Sequence, residues 1–253
     1  MAALAATVFI VGVLTGLTGI GGILVIPALG AFAGLSVQSS MATAMLSFVF
    51  VGLAATWLQE RRGAIDWAPT VPLSLSAAVF SYLGALANSM ASAQWLNLGL
   101  SVIIIFAGAS VIRPARSGEA FPFDKRKKSH VALMAAIGAG VGFISGLTGV
   151  GGPVLSIPAM MALGFAPLAS IAAAQVIQVA VTGSGSVGNL LYGSIDFSTA
   201  TWITLVQLAG LVMGIRMAHT FPANRLRRLV ALVCLLVGGF LFVRSLAQWL
   251  ALG

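Results

Sequence analysis

Long apolar runs, set apart by short polar breaks, divide the chain into two similar halves. In the first half the runs cover about Ala3 to Gly34, Val37 to Leu58, Ala68 to Asn88 and Trp95 to Ile112. In the second they cover Val131 to about Phe165, Pro167 to Tyr192, Ser198 to His219 and Leu226 to about Leu250. Runs of roughly 20 apolar residues predict helices that cross a hydrocarbon layer of about 30 Å. The first run of each half is longer, and glycines interrupt it. Thr15 to Gly22 reads TGLTGIGG, and Ser145 to Gly152 reads SGLTGVGG. About a dozen apolar residues remain on either side of each interruption, and at a rise of ~1.5 Å per residue they reach about half way across such a layer.

The two glycine stretches agree at six of eight positions, one opening at Thr15 and the other at Ser145, so the chain contains an internal duplication. Other landmarks follow in the same order. Ile26-Pro27-Ala28 answers Ile157-Pro158-Ala159 with one residue inserted, Gly34 answers Gly164, and Gly63-Ala64-Ile65-Asp66-Trp67 answers Gly193-Ser194-Ile195-Asp196-Phe197. The third and fourth runs match their counterparts only in length and polarity. Residues 1–112 form the first repeat and 131–253 the second, joined by a hydrophilic linker, 113–130. Gly-interrupted hydrophobic segments at corresponding places in two halves are the sequence pointer to a transporter's binding site.

Hydrophobic residues make up 59% of the chain and charged residues 7%, with a mean hydropathy of +1.07. This composition belongs to a polytopic membrane protein. The net charge of +8 does not signal nucleic acid, because the basic residues sit in a few loops instead of along a face with interleaved aromatics. The first residues carry no basic stretch and belong to the first repeat, so they are expected to be retained. Cys234 is the only cysteine, which excludes an intrachain disulfide and leaves a small apolar residue in a helix.

Arg61 and Arg62 close the loop after the second run, and the linker holds Arg113, Arg116, Lys125, Arg126, Lys127 and Lys128. Arg216, Arg225, Arg227 and Arg228 flank the loop before the last run. The loops near Asn88–Trp95 and Tyr192–Ser198 contain no Lys or Arg. The positive-inside rule then puts the first three loops in the cytoplasm and the last two outside. That arrangement requires the glycine-broken run to enter and leave on one side as a hairpin. It also places equivalent loops on opposite faces, so the expected fold is an all-α polytopic integral membrane protein of two inverted repeats. Each repeat has a Gly-broken helical hairpin plus three further transmembrane helices, and both termini lie outside. Trp57, Trp67, Trp95, Trp202 and Trp249 fall near span ends as interfacial anchors, and Arg244 is placed to snorkel to the outer interface. His130 and His219 are expected to be solvated.

A turn inside the bilayer exposes unpaired backbone groups, which survive only when buried in protein or lining a polar cavity. Gly16, Gly19, Gly21 and Gly22, repeated as Gly146, Gly149, Gly151 and Gly152, permit positive φ and close approach to a ligand. Helices restarting near Gly22 and Gly152, the latter with Pro153 in its first turn, would present free N–H groups and about half a positive charge each. Two such ends converging make an anion site. Nearby hydroxyls and amides are Thr15, Thr18, Ser145 and Thr148, with Thr43 and Ser47 on the second run of the first half. Gln175, Gln178, Thr182, Ser184 and Asn189 lie on the second run of the second half, and Gln175 and Gln178 share a helical face. Close helix packing is the competing account of the glycines, and interhelical bonding that of the glutamines. Asp66 and Asp196 read as helix caps. There is no metal-ligand cluster, no nucleophile beside a His and no carboxylate pair in a span, so enzyme chemistry is disfavoured and no cofactor is expected.

At Gly16-Leu-Thr-Gly-Ile-Gly-Gly, repeated from Gly146, and at the Gly63-x-Ile-Asp and Gly193-x-Ile-Asp turns, the sequence resembles the TauE/SafE family of sulfite exporters, in the 4-toluene sulfonate uptake permease-like superfamily. The resemblance covers nearly the whole chain. It implies export or uptake of sulfite, sulfoacetate or another organosulfonate across the bacterial inner membrane. Members usually carry a Gly-Thr-Ser element where this chain has Ala42-Thr43-Ala44 and Ala173-Ala174-Gln175, so only Thr43 is retained and Gln175 is the candidate substitute.

The resulting expectation is a secondary transporter that binds a small sulfur-containing anion at mid-membrane and works by alternating access. Its substrate-binding residues are Thr18, Gly19, Gly21, Gly22, Thr43, Thr148, Gly149, Gly151, Gly152, Gln175 and Gln178. A passive anion channel of the same fold and a non-transporting membrane assembly partner are the alternatives. The lipid bilayer is the other expected partner. A homo-oligomer and a coupling proton or sodium ion stay open, and the direction of transport is not determined.

Overall fold

A computed structural model of the chain describes residues 2–112, 123–217 and 223–250. Every regular element among them is helical. Helix α1 spans Ala2–Thr18. After a break the chain resumes as a 3-10 turn, Gly21–Leu24, a short α2, Val25–Ala28, and a π turn, Leu29–Ala33. Helices α3 (Val37–Arg61), α4 (Trp67–Met90) and α5 (Ala93–Ile112) complete the first half. The second half repeats this order as α6 (Lys128–Thr148), α7 (Pro153–Ala162), α8 (Pro167–Tyr192), α9 (Phe197–Met217) and α10 (Ala223–Leu250). Five helices are long and apolar enough to cross a membrane: α3, α4, α6, α8 and α9. The arms before the glycine breaks are longer than the dozen residues expected. They hold 17 and 21 residues, so α6 alone is long enough to span.

Local chemistry explains the ends. Helices α1 and α6 stop at Gly19 and Gly149, whose φ values of +78° and +68° are left-handed. Their N–H groups close onto Thr15 O at 2.9 Å and Ser145 O at 2.8 Å, the usual glycine stop. Asp66 caps α4 by accepting from Ala68 N at 3.1 Å, and Asp196 caps α9 by accepting from Thr199 N at 3.0 Å. Pro153 and Pro167 begin α7 and α8 in first-turn positions, where a missing N–H costs nothing.

The halves are interlaced. Helix α1 packs along α9 of the other half, and its counterpart α6 packs along α4. Helix α8 lies against α4 as α3 lies against α9, while α3 meets α8 and α5 meets α10. These contacts exchange when each helix is replaced by its counterpart in the other repeat. The α1–α9 and α4–α6 crossings bring backbones into direct contact through glycines. A Cβ on Gly12 would overlap the Gln207 carbonyl, and one on Gly16 the Leu211 carbonyl. In the other half a Cβ on Gly142 would overlap the Ala77 carbonyl, and one on Gly146 the Ser81 carbonyl. Small residues that let helix backbones touch are the means by which membrane helices associate.

Two polar details depart from expectation. His130 is half-buried, and its Nδ1 accepts from Asp124 N at 3.1 Å, a local tie that fixes the start of α6. Trp202 packs against the main apolar cluster, whereas Trp57, Trp67 and Trp95 are exposed. The Arg61 guanidinium covers the Trp57 ring at 3.9 Å, and Trp67 Nε1 donates to Glu60 at 3.1 Å, which makes one anchored cluster around the α3–α4 loop. Arg113, Arg116 and His219 lie outside the described residues, as do the side chains of Cys234 and Trp249.

Candidate functional site

The two glycine turns meet around one small central cavity. Thr15, Gly19, Ile20, Gly22 and Ile23 line it from the first turn, and Val150, Pro153 and Val154 from the second. Phe48 of α3, Gln178 of α8 and Gln207 of α9 close the sides. Its volume is about 10 Å³. That is room for about one water, so the site is shut.

The repeated glycines divide their work. Gly16 and Gly146 serve the helix crossings and do not face the cavity, so the packing account holds for that pair. Gly19 and Gly149 end the helices. Gly22 and Gly152 allow the restarting chain to lie against α3 and α8. A Cβ on Gly22 would sit 3.2 Å from Phe48 Cε1, and one on Gly152 would sit 2.8 Å from Ile177 Cγ2 and 3.1 Å from Gln178 N. Gly151, at φ +79°, would carry a Cβ 3.5 Å from Phe48 Cδ2. Gly21 opens the 3-10 turn.

The hydroxyls do less than their positions suggested. Thr15 and Thr148 donate to Val11 O at 2.8 Å and Ile144 O at 2.7 Å within their own helices. Ser145 ties the second turn together by donating to Gly151 O at 3.0 Å. Thr43 is not at the cavity. Its Oγ1 accepts from Asp196 N at 3.1 Å and pins the α8–α9 loop to α3. The side chain of Thr18 lies outside the described residues.

The glutamines are brought to the centre. Gln178 Nε2 donates to Phe48 O at 3.1 Å. Gln175 is buried one turn away, with its Nε2 about 3.4 Å from where a Cβ on Gly19 would stand, and its Oε1 has no partner. The residue that sequence reasoning missed is Gln207. It is 0% exposed, its Oε1 accepts from Ser47 Oγ at 3.1 Å, and its Nε2 is buried without a partner on the cavity wall. An unmatched buried amide N–H is costly, on the order of 1–3 kcal/mol, unless something fills the place beside it. The signal was present in the sequence as a Gln in the middle of an apolar span.

Electrostatically the cavity holds donors and no formal charge. The chain restarts at Gly21 and at Pro153 without side-chain caps; Pro153 has no N–H, and Leu155 N and Ser156 N bond back to Gly152 O at 3.3 and 3.0 Å. A site with uncapped helix starts and one unpartnered amide donor suits an oxyanion.

Comparison with known proteins now decides the family. The profile of the sulfite exporter TauE/SafE family matches residues 4–241. The chain belongs to that family. It is also 26% identical over 250 residues to the probable membrane transporter protein YunE of Bacillus subtilis (strain 168), covering 90% of this chain and 91% of that protein. The probable membrane transporter protein YdhB of the same organism is 22% identical over 238 residues, covering 91% of this chain and 95% of YdhB. No solved structure matches the chain significantly.

Proposed function

We propose that this membrane transporter carries a small sulfur-containing oxyanion, sulfite or a short organosulfonate, across the bacterial inner membrane. The ion is bound between the two glycine turns. The observation that carries this reading is the buried, unpartnered Nε2 of Gln207 on the wall of a cavity made by both turns. In the bound state the Gln207 amide holds an anion oxygen, helped by the positive ends of the two restarts, and Ser47 fixes the amide's orientation. Gln178 and Gln175 stand next to the site, the first to hold α3 against α8 and the second to adjust its polarity. Neutral donors hold an oxyanion without the countercharge that would slow its release.

A cavity of about 10 Å³ cannot hold the cargo, so the helix groups that enclose it move apart to admit it. The interlaced packing suits this motion, because α1 with α9 and α6 with α4 form two tight pairs that can rock as units. We place the linker and the Arg61–Arg62 loop in the cytoplasm by the basic-residue rule, which inserts the two halves in opposite orientations. With α6 holding 21 residues, a tilt brings its glycine end to mid-membrane.

The test is uptake of labelled sulfite or sulfoacetate into proteoliposomes, with counterflow measured to separate a carrier from a pore. Trans-accelerated exchange is expected, and so is a loss of about tenfold or more in Gln207→Leu and in Gln207→Glu, since each removes donors to the anion. Wild-type transport in Gln207→Glu would overturn the role given to this amide. Flux without counterflow would overturn the carrier.

A further inference from the structure

A second, larger cavity lies on the other side of the first glycine turn. Its volume is about 560 Å³; α1, the returning segment Pro27–Phe32, α5 and α10 border it, and exposed Ile10, Phe32, Phe240 and Arg244 mark its open side. Leu24, Ile26, Leu100, Val237, Phe240 and Leu241 give it an apolar wall. No residue lines both cavities. Ile23 faces the central one and Leu24 this one, so the two stand back to back across a single turn of chain.

Thr7, Asn97 and Ser245 also line it, Thr7 bonded to Ala3 O, and two further polar groups stand out on its surface. Arg244 of α10 lines it, and each described carboxylate is engaged elsewhere: Glu60 with Trp67, Asp66 with Ala68, Asp124 with Arg126 and Asp196 with Thr199. Ser40 at the start of α3 also lines it. Ser40 is 1% exposed, yet its Oγ has no partner. Guanidinium at neutral pH is always charged, and a buried hydroxyl without a partner is uncommon in a well-packed protein. A fixed positive charge and an orphaned hydroxyl on a mainly apolar wall define a complementary ligand. It carries one anionic head and an apolar body, because a bare inorganic ion would leave the wall unfilled and a neutral hydrocarbon would leave both polar groups unmet.

We propose that this cavity is a binding site for a single-chain amphipathic anion, an alkyl sulfonate or carboxylate. Its head is held by Arg244 and Ser40, and its chain lies along Leu100, Val237 and Leu241. The site is independent of the central cavity. With the topology above it opens toward the outer face, since it is bounded by the start of α5 and the end of α10.

The probe is decanesulfonate, titrated calorimetrically into the full chain in phosphatidylcholine nanodiscs, with empty discs subtracted. One saturable site per chain is expected, with binding at least tenfold weaker in Arg244→Gln and retained in Arg244→Lys. Gly30→Leu should abolish binding by filling the space beside Ser40 while leaving both polar groups in the chain, because a Cβ at Gly30 meets nothing closer than Leu35 O at 3.8 Å and stands 4.0 Å from Ser40 Oγ. Gln207→Leu should bind as wild type does, so a failure of the central site leaves this result intact. Equal binding by wild type and Arg244→Gln would overturn the proposal. Binding of a decyltrimethylammonium control as tight as that of the sulfonate would also overturn it. So would competition by phosphatidylglycerol discs strong enough to exclude the sulfonate, which would assign the cavity to a two-chain lipid.

Discussion

Gln207 faces Ser47 beside the central cavity, and the positions that answer them under the duplication are Ala77 and Ile177, two members of one apolar cluster. Gln178 likewise corresponds to Phe48, and both line the cavity, one polar and one aromatic. Most of the crossing glycines, in contrast, occur in both halves: Gly12 with Gly142, Gly16 with Gly146, and Gly84 with Gly214 are each pressed against backbone of the opposite helix, while Gly138 and Gly210, equally close, answer to Val8 and Phe80. The duplicated chain has kept most of the groups that set how closely helices approach. It has changed the side chains that the neighbouring helices turn to the cavity, Phe48 against Gln178 and Gln207 against Ala77. The helix-crossing frame is therefore largely symmetric, while the glutamine amides gather on the side made by α8 and α9, so the proposed anion would sit nearer those two helices.

The largest effect should come from breaking the symmetric part. Gly16→Leu and Gly146→Leu each drive a side chain into a carbonyl of the facing helix, Leu211 and Ser81 respectively, with no flexible atom to give way. Overpacking of this kind costs about 3 kcal/mol or more. Both variants should lose folded protein to a similar degree by size-exclusion yield and thermal melting, whereas Gly183→Leu, with open space around it, should not. A large loss in only one of the first two would show that the halves do not carry equal packing loads.

The asymmetric part is sharpened by transplanting it. Ala77→Gln places an amide opposite Ile177, where no hydroxyl waits, and an unmatched buried amide costs on the order of 1–3 kcal/mol. The variant should melt lower than the parent and gain no transport. The double variant Ala77→Gln with Gln207→Ala should remain as inactive as the single Gln207 variants. Recovery of sulfite flux in the double variant would mean that the two sides are interchangeable after all.

A smaller contrast lies in the helix stops. Gly19 and Gly149 have the same left-handed backbone, so alanine at either is strained by roughly 1–2 kcal/mol. Their surroundings differ. A Cβ at Gly149 would lie 2.8 Å from Met41 Cα and 2.9 Å from its carbonyl oxygen, while a Cβ at Gly19 meets only side-chain atoms, none closer than 3.2 Å. Gly149→Ala should therefore lower the melting temperature more than Gly19→Ala. Equal shifts would mean that backbone strain alone sets the cost.

These contrasts also show what could be read from the chain in advance. Helix ends were legible because glycine, proline and aspartate act within a few residues: α8 begins at Pro167 and ends at Tyr192 as the pattern predicts, and both aspartates cap. The meeting of the two glycine turns was legible from their duplication. Which helix each glycine touches was not, because α1 and α9 belong to different halves and their crossing is settled by packing, on which sequence periodicity is silent. For the same reason Thr43 looked like a site residue and proved to be a loop tie, while Gln207 was passed over as one polar residue in a span. Its importance comes from Ser47, which only the fold brings to it.

The smallest expected effect concerns the caps of α4 and α9, which occupy equivalent places and are held differently. Asp66 accepts from Ala68 N alone, while Asp196 accepts from both the N–H and the hydroxyl of Thr199, at 3.0 and 2.9 Å. The Thr199 backbone bond, helped by its side chain, holds the Asp196 carboxyl below its ordinary value of 3.8. A group with a depressed folded pKa contributes stability that is fully present above its unfolded value and is lost as pH falls through the folded one. The contribution of Asp196 is thus intact at neutral pH and disappears only below about pH 4. Asp196→Ala should cost about 1 kcal/mol at pH 7, as cap removal does, and Asp196→Asn less, because asparagine still accepts from the Thr199 N–H. Melting curves from pH 7 down to pH 3 should show the gap between wild type and Asp196→Ala narrowing only at the acid end. A gap that stays constant over that range would mean the cap acts through its shape and not through its charge.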